Sequence, residues 1–190
     1  MKYVKNIVSV VAVLLVCAWA LQYFTLRTTT VPENVSVGSA YDGEPVSLVR
    51  VVDGDTIVVK FSTGAEDIVR LIGIDAPESV HDNPERNTEE GLVASDYLKQ
   101  ITAEGQSLWL TKDVSDRDKY NRLLRYVWVE PPAEDDTFSS VCLNAKLVAD
   151  GYAQAKSFPP DSRYADIFYQ LGVSAAESGL GVSALWKDSL

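Results

Sequence analysis

The chain has 190 residues, of which 46% are hydrophobic and 23% charged, a composition typical of a folded protein with enough apolar residues for one core. It carries 17 Lys and Arg against 27 Asp and Glu, so its formal net charge is −10 and a polyanionic partner would need a local basic patch. The single histidine, His81, excludes sites that need two, such as HExxH zinc proteases, so any catalysis would depend on carboxylates and arginines.

Residues 1–26 carry the pattern of an export signal. An uncharged apolar run from Ile7 to Leu26 follows Lys2 and Lys5, and about 20 helical residues would cross the ~30 Å core of a bilayer. Ala18-Trp19-Ala20 equally resembles the site at which a signal peptide is cleaved. A signal peptide and a transmembrane anchor both remain open. Because the lysines precede the apolar run, either one places the body outside the cytoplasm, in the extracellular space or anchored to the cell envelope.

Residues 27–45 predict a flexible linker, because they are rich in Thr, Ser, Gly and Pro and lack periodic apolar positions. The remaining residues, 46–190, predict a single folded domain. Cys142 has no partner there for a disulfide, since Cys17 belongs to the apolar N-terminal run. We expect the domain to be a monomer, and no motif for a protein partner is evident.

Three β-strands are predicted at the start of the domain. The runs Val46–Val52 and Thr56–Phe61 are separated by the turn Asp53-Gly54-Asp55, and Asp67–Ile74 follows after a second turn. Strands joined by such short turns form an antiparallel meander.

Arg70 is the unusual residue of the third strand. Alternation puts it on the same face as Ile68, Ile72 and Ile74. A charge on an otherwise apolar face is costly unless an anionic group meets it, so an anionic partner is expected.

Two more strands and three helices complete the predicted domain. We expect Asn87 to cap a helix that ends before Gly105, and Asp161 to cap the last helix. The other predicted elements are the strands Ser107–Lys112 and Leu123–Val129 and the helix Val141–Asp150. This order predicts an α+β fold, a five-stranded β-barrel of the OB type with three packed helices, preceded by the N-terminal hydrophobic signal or anchor helix.

Three carboxylates follow predicted strand ends. Asp55 comes after the first turn, and Asp75 and Glu78 come after the third strand. In a meander these ends can converge at one rim. Ionised carboxylates in one place repel each other, so they shift their pKa values or hold a hard cation, and an all-oxygen ligand set favours Ca²⁺. Each segment taken singly is also typical of an ordinary turn.

Two arginines extend this cluster. Arg70 lies five residues before Asp75, and Arg122 ends the polar segment 118–122. Guanidinium groups and a metal ion can bind the non-bridging oxygens of a phosphodiester, while a further carboxylate orients or deprotonates water. Taken singly, Arg70 is also explained by a structural ion pair and Arg122 by an ordinary surface position.

These motifs, in their order and spacing, resemble the staphylococcal nuclease family. The resemblance covers residues 46–187 and ends in Gly181–Trp186, which is similar to the family's final Gly-Leu-Trp. The segments that carry it are Val51-Val52-Asp53-Gly54-Asp55-Thr56, Val69-Arg70-Leu71-Ile72-Gly73-Ile74-Asp75-Ala76-Pro77-Glu78, Asp118-Lys119-Tyr120-Asn121-Arg122 and Leu147-Val148-Ala149-Asp150-Gly151-Tyr152-Ala153.

The resemblance implies an OB-fold nuclease with Ca²⁺ as its cofactor and DNA and RNA as its substrates. Asp55, Asp75 and the backbone carbonyl of Ala76 would bind the Ca²⁺ ion. Glu78 would activate the attacking water. Cleavage would occur at the 5′ oxygen and leave 3′-phosphate ends.

The same resemblance implies the phosphate contacts. Arg70 and Arg122 would bind the phosphate that is attacked, and Lys119 and Tyr120 would contact the terminal phosphate of the nucleotide. The membrane would be a further contact through the N-terminal segment if that segment is uncleaved.

Several positions depart from the family pattern. Ala76 replaces the usual Thr, which the site should tolerate because the ligand there is a main-chain carbonyl. Asn121 stands where Gly is common, and Asn tolerates the left-handed conformation. Residues that stack on the base are less clear: Phe158 is the candidate in its segment, whereas Tyr152 and Tyr164 are types more often found in a core.

The acidic balance is a further departure from a basic prototype, and it leaves affinity for long DNA open. Residues 130–136 predict an acidic, solvated surface loop. His81 is expected to lie exposed just past the loop that carries Glu78.

Two other function classes remain open. A catalytically silent OB-fold module that binds nucleic acid or a protein partner would be expected to lose the charged side chains. A structural envelope domain with a Ca²⁺-binding turn would explain the carboxylates but not the two arginines. The nuclease is favoured because all five charged positions are retained, namely Asp55, Arg70, Asp75, Glu78 and Arg122.

Overall fold

The computed structural model describes residues 42–80, 87–131 and 138–189, with side chains as far as Trp186. The predicted signal or anchor segment, most of the predicted linker, His81 and most of the acidic loop 130–136 lie outside these ranges. Within the ranges described, no helix combines the length and the apolar character needed to cross a membrane.

A closed five-stranded barrel forms the body of the domain. The strands are β1 (Glu44–Asp53), β2 (Thr56–Phe61), β3 (Glu66–Leu71), β4 (Ile74–Asp75), β5 (Ser107–Thr111), β6 (Leu123–Trp128) and β7 (Gln154–Ala155). The barrel has the order β1-β2-β3-β6-β5, and β4 pairs with β7 in a separate small sheet. β1, β2 and β3 form the predicted antiparallel meander, while β3 and β6 pair in parallel. The five-stranded barrel is therefore confirmed.

The first strand belongs to both sides of the barrel seam. Its early part, Glu44–Ser47, pairs with β5, and Val46–Asp53 pairs with β2. Register shifts after Leu48 and after Val51 mark irregularities of the β-bulge type, which bend a strand. β1 begins inside the segment predicted as linker, and its bend lets one strand close the barrel.

Helices pack outside the barrel. They are α1 (Glu89–Ile101), α2 (Phe138–Val141), α3 (Leu143–Ala149), α4 (Ala165–Ser178) and the 3₁₀ helix Ser183–Ser189. α1, α3 and α4 correspond to the three predicted helices, and α2 is an additional single turn.

The predicted helix caps are wrong. Thr88, and not Asn87, is the N-cap of α1, and its hydroxyl accepts the Gly91 N–H at 3.0 Å. The N-cap of α4 is Tyr164. Asp161, the predicted cap, instead accepts backbone N–H bonds from the loop at residues 114–115. Both errors arise because the sequence shows which residues could cap a helix but not which backbone N–H groups their side chains contact.

The third strand ends earlier than predicted. β3 stops at Leu71, and the chain turns at Gly73, whose φ is 78°. A Cβ at Gly73 would lie 2.5 Å from the Phe168 ring, so α4 packs directly on this turn. Ile68 is 41% exposed, so the face of β3 that carries Arg70 is only partly buried. The turn places β4, and with it Asp75, beside β7.

Asn144 ties α3 to the barrel. Its side chain is fully buried, donates to the carbonyls of Ile72 and Arg125 at 2.9 and 3.2 Å, and accepts the Val127 N–H at 2.9 Å. One amide therefore bonds three backbone groups, two of them in β6 and one just after β3.

Replacing Asn144 by Ala is expected to lower the free energy of unfolding by about 2 to 4 kcal/mol, because buried backbone groups lose their partners. Urea denaturation followed by circular dichroism measures the effect. Gln170→Ala, on the exposed face of α4, is the control and should change the value by less than about 0.5 kcal/mol. Equal stability of the two variants would contradict the role assigned to Asn144.

Candidate active site

Two carboxylates share one guanidinium at a rim of the barrel. Arg70 lies in β3 opposite Thr56, the first residue of β2, so Asp55 and Arg70 come together across the strand pair. Nη2 of Arg70 is 2.9 Å from Oδ2 of Asp55 and 3.1 Å from Oδ1 of Asp75. Nη1 donates to the carbonyl of Leu71. The Arg70 side chain is only 12% exposed, so it is a fixed cation between two acids.

Asp55 lies in the least solvated position of this cluster. Its Oδ1 accepts the Thr56 hydroxyl at 3.0 Å and its Oδ2 accepts the Ala76 N–H at 3.0 Å. Burial raises the pKa of the Asp55 carboxyl above its ordinary value, although the Arg70 guanidinium and these two hydrogen bonds oppose the increase. The ionised carboxylate is therefore incompletely compensated by its surroundings, and additional positive charge beside it would be favourable.

The residues at this rim fit a hard cation. Asp55 and Asp75 contact the same nitrogen atom, so their oxygens are neighbours, and carboxylate oxygens are the ligands that Ca²⁺ prefers. Among the residues that the structure describes, no group of three or more His, Cys, Asp or Glu side chains could hold a metal. The protein would thus supply two carboxylates, and main-chain or water oxygens would complete the coordination.

The loop that carries Glu78 is held to the end of β1. Asp53, which is buried, accepts the Ser79 hydroxyl at 2.6 Å and the Ser79 N–H at 3.2 Å through the same oxygen, Oδ1. That oxygen also accepts the Gly54 N–H at 2.8 Å. Asp53 therefore fixes the residue next to Glu78, a role that the Asp-Gly-Asp turn pattern did not indicate.

The peptide group that joins Glu78 to Ser79 is also held by the start of α1. The Glu78 carbonyl accepts the Thr88 N–H at 2.9 Å. A Cβ at Gly91 would lie 2.1 Å from that carbonyl oxygen, so only glycine allows this approach. The peptide group after Glu78 is thus held by two elements: its N–H bonds Asp53 at the end of β1, and its carbonyl bonds Thr88 at the start of α1.

Arg122 is oriented by Asp118. Its Nε donates to Oδ2 of Asp118 at 2.7 Å, and its backbone N–H donates to Oδ1 at 2.9 Å. Its Nη1 is 3.5 Å from the hydroxyl of Thr56, which itself bonds Asp55. Neither Thr56 nor Asp118 was predicted in this role. The spacing of four residues between Asp118 and Arg122 was the available signal.

A cleft of about 500 Å³ opens beside the two arginines. Lys119 and Tyr120 line it together with Arg70 and Arg122. The Lys119 ammonium is 4.9 Å from the centroid of the Tyr120 ring, which is 68% exposed. Asn121 has a φ of 65°, the left-handed conformation anticipated for it. The predicted phosphate-contacting residues therefore line one cleft.

The three aromatic candidates for base stacking lie in different surroundings. Phe158 lines the cleft and is half-exposed. Tyr152 instead stacks on Tyr97, with ring centroids 3.8 Å apart. Tyr164 is buried in the core against Phe138. Phe158 is the candidate that the structure brings to the cleft.

Comparison with known proteins gives a consistent result. The family model for staphylococcal nuclease homologues matches residues 68–188. The thermonuclease of Staphylococcus intermedius is 36% identical over 140 residues, which are 74% of this chain and 76% of that protein. The thermonuclease of Staphylococcus hyicus is 35% identical over 117 residues, 62% of each chain. Endonuclease YncB of Bacillus subtilis is 36% identical over 146 residues, 76% of this chain and 62% of that protein.

The ion pair between Asp118 and Arg122 predicts a pH-dependent contribution to stability. Burial raises the pKa of Asp118, whereas hydrogen bonds from Arg122 and from the Tyr120 N–H lower it by more. The pKa of Asp118 is therefore below its ordinary value of 3.8. A lowered carboxyl pKa means that the ionised form stabilises the fold above pH 3.8, and that this contribution is lost as the pH falls through the folded-state pKa.

Asp118→Asn is therefore expected to lower the free energy of unfolding by about 1 to 3 kcal/mol near neutral pH, and by progressively less as the pH drops below 3.8. Urea denaturation over the acidic range in which the wild type stays folded measures the difference. Asp96→Asn, at an exposed ion pair on α1, is the control. A difference that does not change with pH would contradict the interpretation.

Proposed function

The chain belongs to the staphylococcal nuclease family, and from this premise we propose that it is a Ca²⁺-dependent endonuclease that hydrolyses phosphodiester bonds of DNA and RNA. The observation that carries the proposal is the cluster of Asp55, Arg70 and Asp75 beside a cleft that also contains Arg122. Arg70, Lys119 and Arg122 line the cleft together with Asp118 and Asp161, so the lining has a small excess of positive charge on a protein with a net charge of −10.

In this proposal Asp55, Asp75 and the Ala76 carbonyl hold the Ca²⁺ ion. When bound, such an ion supplies positive charge that stabilises a phosphodiester as it gains negative charge. Two observations support this assignment. Asp55 and Asp75 offer carboxylate oxygens, the ligands that Ca²⁺ prefers. Burial raises the pKa of Asp55, so a positive ion beside its carboxylate would be favourable.

The arginines and Glu78 carry the protein's own part of the reaction. Arg70 and Arg122 bind the non-bridging oxygens and stabilise the pentacoordinate transition state. Glu78 accepts a proton from the water that attacks phosphorus, and the bond from phosphorus to the 5′ oxygen breaks. That oxygen takes a proton from solvent, which leaves a 5′-hydroxyl and a 3′-phosphate.

The contacts around these residues support their roles. A general base must be held at a fixed position, and the peptide group between Glu78 and Ser79 is held by Asp53 through its N–H and by Thr88 through its carbonyl. Asp118 orients Arg122 towards Thr56. Lys119 and Tyr120 are assigned to a terminal phosphate and Phe158 to the base, because all three line the cleft.

The proposed site of action is outside the cytoplasm. The apolar N-terminal run with its preceding lysines supports export, either as a secreted enzyme or as one anchored to the cell envelope.

The relatives matched by the chain include proteins named thermonuclease and endonuclease, which supports the reaction class.

Glu78→Gln is expected to lower turnover by at least about 10²-fold while leaving Ca²⁺ binding intact, because the amide cannot accept the proton. Initial rates on single-stranded and duplex DNA, with calorimetry of Ca²⁺ binding, measure both properties. Glu89→Gln makes the same chemical change on the exposed first turn of α1 and should keep full activity. Full activity of Glu78→Gln would remove the proposed base.

Arg122→Ala is expected to lower turnover by about 10²- to 10³-fold and to weaken substrate binding much less, because its contact with the phosphate strengthens in the transition state. Steady-state kinetics on an oligonucleotide substrate separate the two effects. Arg50→Ala, at an exposed arginine of β1, is the matched control. An increase in KM with unchanged kcat would contradict the role.

A further inference from the structure

Lys156 is a fourth charged residue of the cluster, and none of the family motifs contains it. Its backbone N–H donates to the Gly73 carbonyl at 2.9 Å, directly after the pairing of β7 with β4. Its ammonium lies 2.7 Å from Oδ2 of Asp75. Arg70 contacts the other oxygen of the same carboxylate. Asp75 is therefore bonded to a protein cation through each of its two oxygens.

Two carboxylates and two protein cations pair with each other in this cluster. Asp55 and Asp75 carry two negative charges, and Arg70 and Lys156 carry two positive ones. A divalent cation that binds the two carboxylates would meet both protein cations at its ligands. Both oxygens of Asp75 already contact a protein cation, so a metal ion that binds Asp75 competes with one of these cations.

Lys156 is the cation that can leave. Arg70 is 12% exposed and also bonds the Leu71 carbonyl, so it is held in place. The Lys156 side chain is 48% exposed and carries its charge at the end of a flexible stem. The backbone N–H of Lys156 is bonded to the Gly73 carbonyl, so the ammonium would move by rotation of the side chain while the backbone stays in place.

The Lys156 ammonium lies next to a residue that lines the cleft. The Lys156 ammonium lies 5.5 Å from the centroid of Phe158, which lines the cleft with Arg70 and Arg122. A released ammonium at this edge is within reach of an anionic group in the cleft, and the proposed substrate brings a phosphate there.

We propose that Lys156 is a further phosphate-binding residue of the site, whose ammonium is exchanged between Asp75 and the substrate. Without ligands it pairs with Asp75, and it competes with Ca²⁺ for that carboxylate. When Ca²⁺ and nucleotide are both bound, it contacts a phosphate oxygen of the nucleotide. This inference rests on the proposed function, since it concerns the same site.

The test compares two affinities of the full-length protein by calorimetry. The first is for Ca²⁺ alone. The second, at saturating Ca²⁺, is for deoxythymidine 3′,5′-bisphosphate, which has a phosphate on each side of the sugar and no diester bond to hydrolyse. Lys156→Met keeps the length of the stem without its charge. Lys99→Met is the matched control, because Lys99 also pairs with an aspartate, Asp96, at 2.9 Å.

Lys156→Met is expected to bind Ca²⁺ about two- to fivefold more tightly and the bisphosphate about two- to fivefold more weakly than wild type. Lys156→Arg should retain bisphosphate affinity within about twofold, and Lys99→Met should change neither constant. An unchanged Ca²⁺ affinity of Lys156→Met would overturn the competition. Tighter Ca²⁺ binding without weaker bisphosphate binding would overturn the phosphate contact.

Failure of the proposed function has a different signature. It would appear as a wild-type protein that binds no Ca²⁺, or as an Asp75→Asn variant whose Ca²⁺ affinity equals that of wild type. Failure of the role of Lys156 alone would leave Ca²⁺ binding dependent on Asp75 and would remove the opposite changes in the two affinities.

Discussion

A mostly buried guanidinium that needs anionic partners is the constraint on which the site depends. Arg70 points from a barrel strand into a position with little solvent, and an uncompensated charge there would be strongly destabilising. Its two carboxylate partners come from different parts of the chain, Asp55 from the turn before β2 and Asp75 from β4. Folding the barrel correctly and assembling the proposed cation and phosphate site therefore depend on the same contacts.

The rest of the structure fixes groups around this pair. The turn at Gly73 ends the barrel strand and sends Asp75 back towards Arg70, while α4 packs on the turn. The first turn of α1 approaches the Glu78 carbonyl so closely that Gly91 has no room for a side chain. Asp118 holds the Arg122 guanidinium in place through an ion pair. Groups held in this way lose little further freedom when substrate binds, which is what a preorganised site requires.

Local sequence patterns were enough to predict the β-barrel and the pairing of Arg70 with carboxylates. Strand alternation and short turns indicated the β1 to β3 meander, and an arginine on a mostly apolar face indicated an anionic partner, which is Asp55 with Asp75. Contacts between distant segments were not predictable in this way. Lys156 reaches Asp75 only through the pairing of β7 with β4, and Ser79 reaches Asp53 across the loop that carries Glu78. The cap of α1 was misplaced because two neighbouring residues, Asn87 and Thr88, are both suitable cap types.

We propose that this acidic protein hydrolyses nucleic acid with a divalent cation held by Asp55 and Asp75. Digestion of single-stranded DNA, duplex DNA and RNA by the purified full-length protein, first with Ca²⁺, then with excess chelator, and then with Ca²⁺ restored, tests this proposal. We expect cleavage that stops with the chelator, returns with Ca²⁺ and leaves 3′-phosphate ends. Cleavage that continues in excess chelator, or a folded protein that binds Ca²⁺ and cleaves none of the three substrates, would contradict it.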